Sequence, residues 1–101
     1  MGKYDVRLSP QALDDIDTLY IYIVEEIFAP ITADRYIDGI YETVKSLATH
    51  AGVFAVSANE HLRMLYGIDV RTVVYKKMTI VYNIIGDVAY VRRVISGSLI
   101  P

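Results

Sequence analysis

The chain opens on an alternation of apolar and polar residues. Tyr4-Asp5-Val6-Arg7-Leu8 repeats every second position, the period of a strand with one face buried. Ser9-Pro10 then predicts a helix start. Ser9 offers a side-chain acceptor to the first turn, and Pro10 sits where a backbone N–H would be unpaired anyway. Apolar residues recur at Ala12, Leu13, Ile16, Leu19, Tyr20, Ile23 and Ile27, one helical stripe. Phe28-Ala29-Pro30 interrupts it. A second stripe follows through Ala33, Tyr36, Ile37, Ile40, Tyr41, Val44, Leu47 and Ala48, with Gly52 as a stop. Two helices joined by so short a break form a helical hairpin. Gly39 inside the second helix costs about 1 kcal/mol relative to alanine, which points to a close approach of the neighbouring helix.

Residues 53–68 carry no clear period, and Leu62 to Tyr66 reads at most as the start of a further short strand. From Asp69 the pattern turns to β. Val70 to Tyr75, Met78 to Ile85 and Val88 to Ile95 are rich in β-branched and aromatic residues. Lys76-Lys77 and Gly86-Asp87 separate them as hairpin turns, although Lys-Lys matches a primed two-residue turn poorly. The expected order is β-α-α-β-β-β. This is an α+β fold in one domain, residues 1–101, with the hairpin packed on one face of an antiparallel sheet. A two-residue turn at Gly86-Asp87 sets Arg92 opposite Val81 and Arg93 opposite Ile80. Ile80, Tyr82 and Ile84 then face the core, while Thr79, Asn83, Tyr90 and Arg92 face outward on an open side. Arg71 falls beside Tyr82 on the core side, where a structural salt bridge to a helix carboxylate is expected.

Composition narrows the function classes. The chain has 101 residues, 53% hydrophobic and 22% charged, which suits one compact domain and not a disordered segment. With no cysteine there is no disulfide, thiolate metal site or thiol nucleophile. The longest apolar run, Leu19 to Val24, is too short to span a bilayer. No membrane association is expected, and without a signal-peptide pattern a cytoplasmic setting is. Net charge is −2, but residues 1–60 hold four Lys/Arg against ten Asp/Glu, and residues 61–101 hold six against two. Either the surface is polarised, with a basic side for an acidic partner, or the two halves pair inside the fold. Asp14, Asp15 and Asp17 suit the dipole at a helix N-terminus better than a metal, and no metal or cofactor is expected. His50 near the end of the second helix suits the dipole too, and His61 has no nucleophile-elbow context. No catalytic residue is assigned.

The motifs together resemble a known family. Tyr4-Asp5-Val6-Arg7-Leu8-Ser9 followed by Ala12, Asp15 and Ile16 is similar to the opening of ParE-type toxins, where a first strand leads through serine into an amphipathic helix. Arg71 followed by Thr79-Ile80-Val81-Tyr82 resembles that family's arginine and its strand ending in tyrosine. Gly86-Asp87 followed by Val91-Arg92-Arg93-Val94-Ile95-Ser96-Gly97 resembles its last hairpin. Each motif is short; order and spacing over nearly the whole chain carry the likeness to the ParE/RelE toxin superfamily.

The resemblance implies a helical hairpin on a sheet with one open side, covered in the family by an extended segment of a cognate antitoxin. ParE-type members are taken to poison DNA gyrase without being enzymes; RelE-type members cut messenger RNA on the ribosome. RNA cleavage needs a base, a proton donor and cations around the phosphorane. Here Thr79 stands where the RelE-type arginine is expected, Ser98-Leu99-Ile100-Pro101 carries neither a cation nor a tyrosine, and the pI is near 5.5. The leading reading is therefore a ParE-like toxin that binds gyrase and is neutralised by an antitoxin. It has no cofactor and no sequence-specific nucleic-acid contact, and its apolar groove invites homodimerisation. Thr79, Asn83, Tyr90 and Arg92 are the expected partner contacts; Arg71 and Arg93 are structural or touch the target. Two alternatives stand beside it. One is a ribosome-dependent endoribonuclease using Arg71, Lys76, Lys77 and Arg92. The other is a relative without toxicity that only binds an antitoxin, since Ser96 replaces the family's histidine and the tail is apolar.

Overall fold

A computed structural model describes residues 3–101. The elements run β1 (Asp5–Leu8), α1 (Pro10–Glu25), α2 (Pro30–His50), α3 (Glu60–Tyr66), β2 (Arg71–Tyr75), β3 (Met78–Ile85) and β4 (Val88–Ser96), with a 3-10 turn over Gly97–Leu99. Ser9 caps α1 as expected: its Oγ accepts from the N–H of Ala12 at 3.0 Å, and Pro10 opens the helix. α1 and α2 form the hairpin, and their buried residues fall within the expected stripes: Ala12, Ile16 and Ile23 on α1, Ala33, Ile40, Val44 and Leu47 on α2. They pack on Ile80, Tyr82, Val91 and Val94 of the sheet to make the main core.

The strand order is β1-β4-β3-β2. β2–β3 and β3–β4 are antiparallel hairpins, but β1 lies parallel to β4, Asp5 opposite Val88 through Leu8 opposite Val91. The sheet is thus mixed, correcting the antiparallel expectation. A period of two gives a strand's faces and not its direction. Direction here follows from the route through the hairpin, since β1 and β4 are not joined by a turn. Both hairpin turns have positive φ at their first central residue, Lys76 at 53° and Gly86 at 61°, which is the type II′ pattern.

Three further expectations are corrected. Residues 60–66 are a helix and not a strand: Asn59 caps α3 by accepting from the N–H of Leu62 at 3.0 Å. α3 closes a second, smaller core on the other sheet face, where Leu62 meets Val70 and Val81, with Tyr66 and Ile100 beside them. Gly39 does admit a close neighbour, but it is Tyr75 of β2 and not the other helix; a Cβ there would lie 2.0 Å from the Tyr75 hydroxyl. Finally, the β3–β4 register shifts between Val81 and Tyr82, so Arg93 faces Val81 and Arg92 is the extra residue of a bulge. The residues flanking the bulged pair, Val91 and Val94, both lie in the main core. Arg92 and Arg93 are therefore both turned out of it, not sent to opposite faces.

Candidate binding groove

β1 covers β4 only as far as Val91, and the rest of β4 would be an open sheet edge. The start of α1 fills part of that gap. The N–H of Ser9 donates to the carbonyl of Val91 at 2.9 Å, and the Ser9 hydroxyl donates to the carbonyl of Arg92 at 2.8 Å. One turn further on, Asp15 accepts from the backbone N–H of Val94 at 2.9 Å and from Arg93 Nε and Nη2 at 2.7 and 3.0 Å. That charge-assisted fork raises the pKa of Arg93 still further above its ordinary value. The acidic and basic halves of the chain thus do pair inside the fold at this point.

Beyond Asp15 the edge is bare, and a groove of about 740 Å³ opens between α1 and β4. Leu19, Tyr22 and Ile23 of α1, with Ile27 just after it, form one wall, Val94 to Ser96 the other; Tyr36, Lys77 and Met78 close one end, and Leu99 of the tail joins the lining. Tyr22 and Ile27 are 53% and 52% exposed, and the apolar surface continues over the hairpin tip at Phe28 and Ile31, which are 83% and 69% exposed. The charged side chains in the lining are Asp15, Arg93 and Lys77, and the first two are bound to each other. Such a lining buries apolar side chains, and among the described residues Lys77 is its one cation outside an ion pair.

The residues expected on an open sheet face lie elsewhere. Thr79 and Asn83 are 7% and 3% exposed, because α3 and the C-terminal tail cover that face. Asn83 Nδ2 donates to the carbonyl of Tyr66 at 3.0 Å, and Gly97 passes directly over the Thr79 hydroxyl. Tyr90 and Arg92 are half-buried, the guanidinium 5.0 Å from the tyrosine ring centroid. Asn83 Oδ1 and Arg92 Nε are buried without a protein partner among the described residues. None of these four lines the groove; Arg93 does.

Arg71 does lie opposite Tyr82, but it makes no helix salt bridge: its Nη1 donates to the carbonyl of Phe54, with the carbonyl of Gly52 at 3.4 Å. It pins the strap that follows α2. Lys76 lies 5.6 Å from the ring centroids of both Tyr36 and Tyr75. Of the four cations of the nuclease alternative, Lys76 and Lys77 share the β2–β3 turn, Arg71 lies at the other end of β2, and Arg92 lies on β4. His50 and His61 are exposed and outside the groove. Among the described residues no three carboxylate or imidazole groups are placed to share a metal, and no helix is long and apolar enough to cross a membrane.

Sequence reading missed the groove's closing pair. From sequence, the dipole at the start of α1 accounts for Asp15, and residue counting sets Arg93 one register position away. The signal that could have joined them was Asp15 itself, five residues into a helix and so past the first turn, where the dipole fades.

No curated protein sequence matches the chain. Among solved structures, a chain of the chromosomal ParDE toxin–antitoxin system from P. aeruginosa is similar, with a TM-score of 0.74. It is 19% identical, and the match covers 95% of this chain and 98% of that one, so the likeness speaks for the fold. The family model for the ParE toxin of type II toxin-antitoxin system, parDE, matches residues 6–101. With order, hairpin and sheet in agreement, the chain belongs to the ParE toxin family of type II toxin–antitoxin systems.

Proposed function

We propose that this chain is a cytoplasmic toxin that acts by binding DNA gyrase, without chemistry of its own, and is neutralised by an antitoxin segment laid in the groove between α1 and β4. The observation that carries the reading is the groove itself. An apolar trough runs along the end of β4 that β1 leaves uncovered, and among the described residues Lys77 is its one cation outside an ion pair. That is the shape of a site for a folded-on-binding polypeptide, whose apolar side chains enter the trough. Lys77 favours a carboxylate on the partner at that end.

The test is binding to the product of the adjoining reading frame. Co-purification is expected, with tight binding in titration calorimetry. Tyr22→Asp puts a charge on an exposed position of the trough wall without touching the core, and should weaken binding at least about tenfold, or ~1.4 kcal/mol. Unchanged affinity in Tyr22→Asp would move the site away from the groove.

A further inference from the structure

The groove and α3 lie on different sides of the sheet, and the C-terminal tail runs from one to the other. Leu99 lines the groove and is 71% exposed. Ile100, the next residue, packs against Leu62, Val70 and Val81 beneath α3. The backbone carbonyl of Pro101 accepts from Asn59 Nδ2 at 2.8 Å, and Asn59 is the residue whose Oδ1 caps α3. The root of the tail is fixed, since the N–H of Gly97 donates to the carbonyl of Lys77 at 2.9 Å and that of Ile100 to the carbonyl of Gly97 at 3.2 Å.

Besides the tail, α3 is held by its Asn59 cap, by Leu62 and the half-buried Tyr66, and by Asn83, whose Nδ2 donates to the Tyr66 carbonyl at 3.0 Å. Leu62 is its only fully buried side chain among the described residues, while Met64 and Leu65 are 87% and 58% exposed. A seven-residue helix so lightly packed belongs to the low-stability end of a fold, where local opening is frequent. When α3 lifts, Ile100 and Pro101 lose their seats. Leu99 then keeps only the turn at its root, closed by the Gly97 and Ile100 N–H groups, to hold it as groove lining.

We infer that the tail, Ser98 to Pro101, is a strap coupling the groove to α3: a polypeptide seated over Leu99 tightens α3 on the sheet, and loosening α3 weakens the hold on that polypeptide. The occupant rests on the groove reading above, whereas the strap is a property of the free chain. The coupling is reciprocal because the occupant meets a placed Leu99 only when α3 is down, so it binds that state better.

The experiment is hydrogen exchange of the Leu62–Tyr66 amides in the full chain, free and saturated with the product of the adjoining reading frame. Protection of α3 should rise about tenfold on binding, while β3 amides serve as the global reference. In the free chain, Ile100→Ala should lower α3 protection about tenfold and leave β3 unchanged. Asn59→Asp separates strap from cap, because aspartate caps a helix as well as asparagine but cannot donate to Pro101. It too should loosen α3, and it should remove most of the rise on binding. Unchanged α3 exchange in both variants overturns the strap. A full rise surviving in Asn59→Asp overturns the coupling and assigns the protection to direct cover. If the partner does not bind the unaltered chain, the groove reading fails, and the free-chain arm decides the strap by itself.

Discussion

At the scale of single residues, two polar side chains tie the helices to the sheet. Asp15 joins α1 to β4 through a guanidinium fork and a backbone N–H, with its side chain 15% exposed. Asp15→Ala leaves the Val94 N–H without its acceptor and takes the carboxylate from Arg93, and should cost about 2–4 kcal/mol in denaturant unfolding. Asp15→Asn keeps an acceptor for the Val94 N–H and should cost about half as much. Tyr82 is the second. It is fully buried, its hydroxyl donates to the carbonyl of Ala51 at 2.6 Å, and burial pushes its pKa up to about 12 against the nearby Arg71 charge. Above pH 10 the unfolded chain releases this proton while the folded one keeps it, so stability falls as pH rises from 10 to about 12, by on the order of 1 kcal/mol per unit. Tyr82→Phe should flatten that slope in unfolding titrations, at a cost at neutral pH of about 1–3 kcal/mol from the unsatisfied Ala51 carbonyl. Of these residues, Ser9 as a cap and Tyr82 as core were legible, since each follows from local spacing. Arg71 and Arg93 were not, because their partners are set by a loop carbonyl and by a bulge that residue counting cannot see.

At the scale of elements, Gly39 shows how a helix and a sheet are fitted. An alanine would favour α2 by about 1 kcal/mol, yet its Cβ would fall on the Tyr75 ring, which is packed edge-on against Tyr36 with centroids 5.3 Å apart. Gly39→Ala should therefore destabilise by about 1–3 kcal/mol in thermal or denaturant unfolding. In a Tyr75→Ala background the same change should become stabilising, which a double-mutant cycle reads directly. The long amphipathic helices and the three β-rich runs were legible because each buries one face over several turns or alternations. α3 was not: seven residues give barely two turns of period, and its outward side is as apolar as its inward side, Met64 and Leu65 against Leu62 and Tyr66. The parallel placement of β1 was also hidden, since alternation is blind to strand direction.

For the whole molecule, the important consequence of α3 and the tail is that they close the sheet face expected to be open. Exposed apolar side chains run instead along α1 and the hairpin tip, from Tyr20 to Ile31, and a second group stands on and after α3 at Met64, Leu65 and Ile68. Free toxin should therefore self-associate as concentration rises, and Tyr22→Asp should reduce this in light scattering. The most direct measurement is pulse labelling of DNA and protein synthesis in a bacterial host after induced expression. DNA synthesis stopping first, with translation continuing, is the expected result. Translation collapsing first would contradict it and make this chain a ribonuclease.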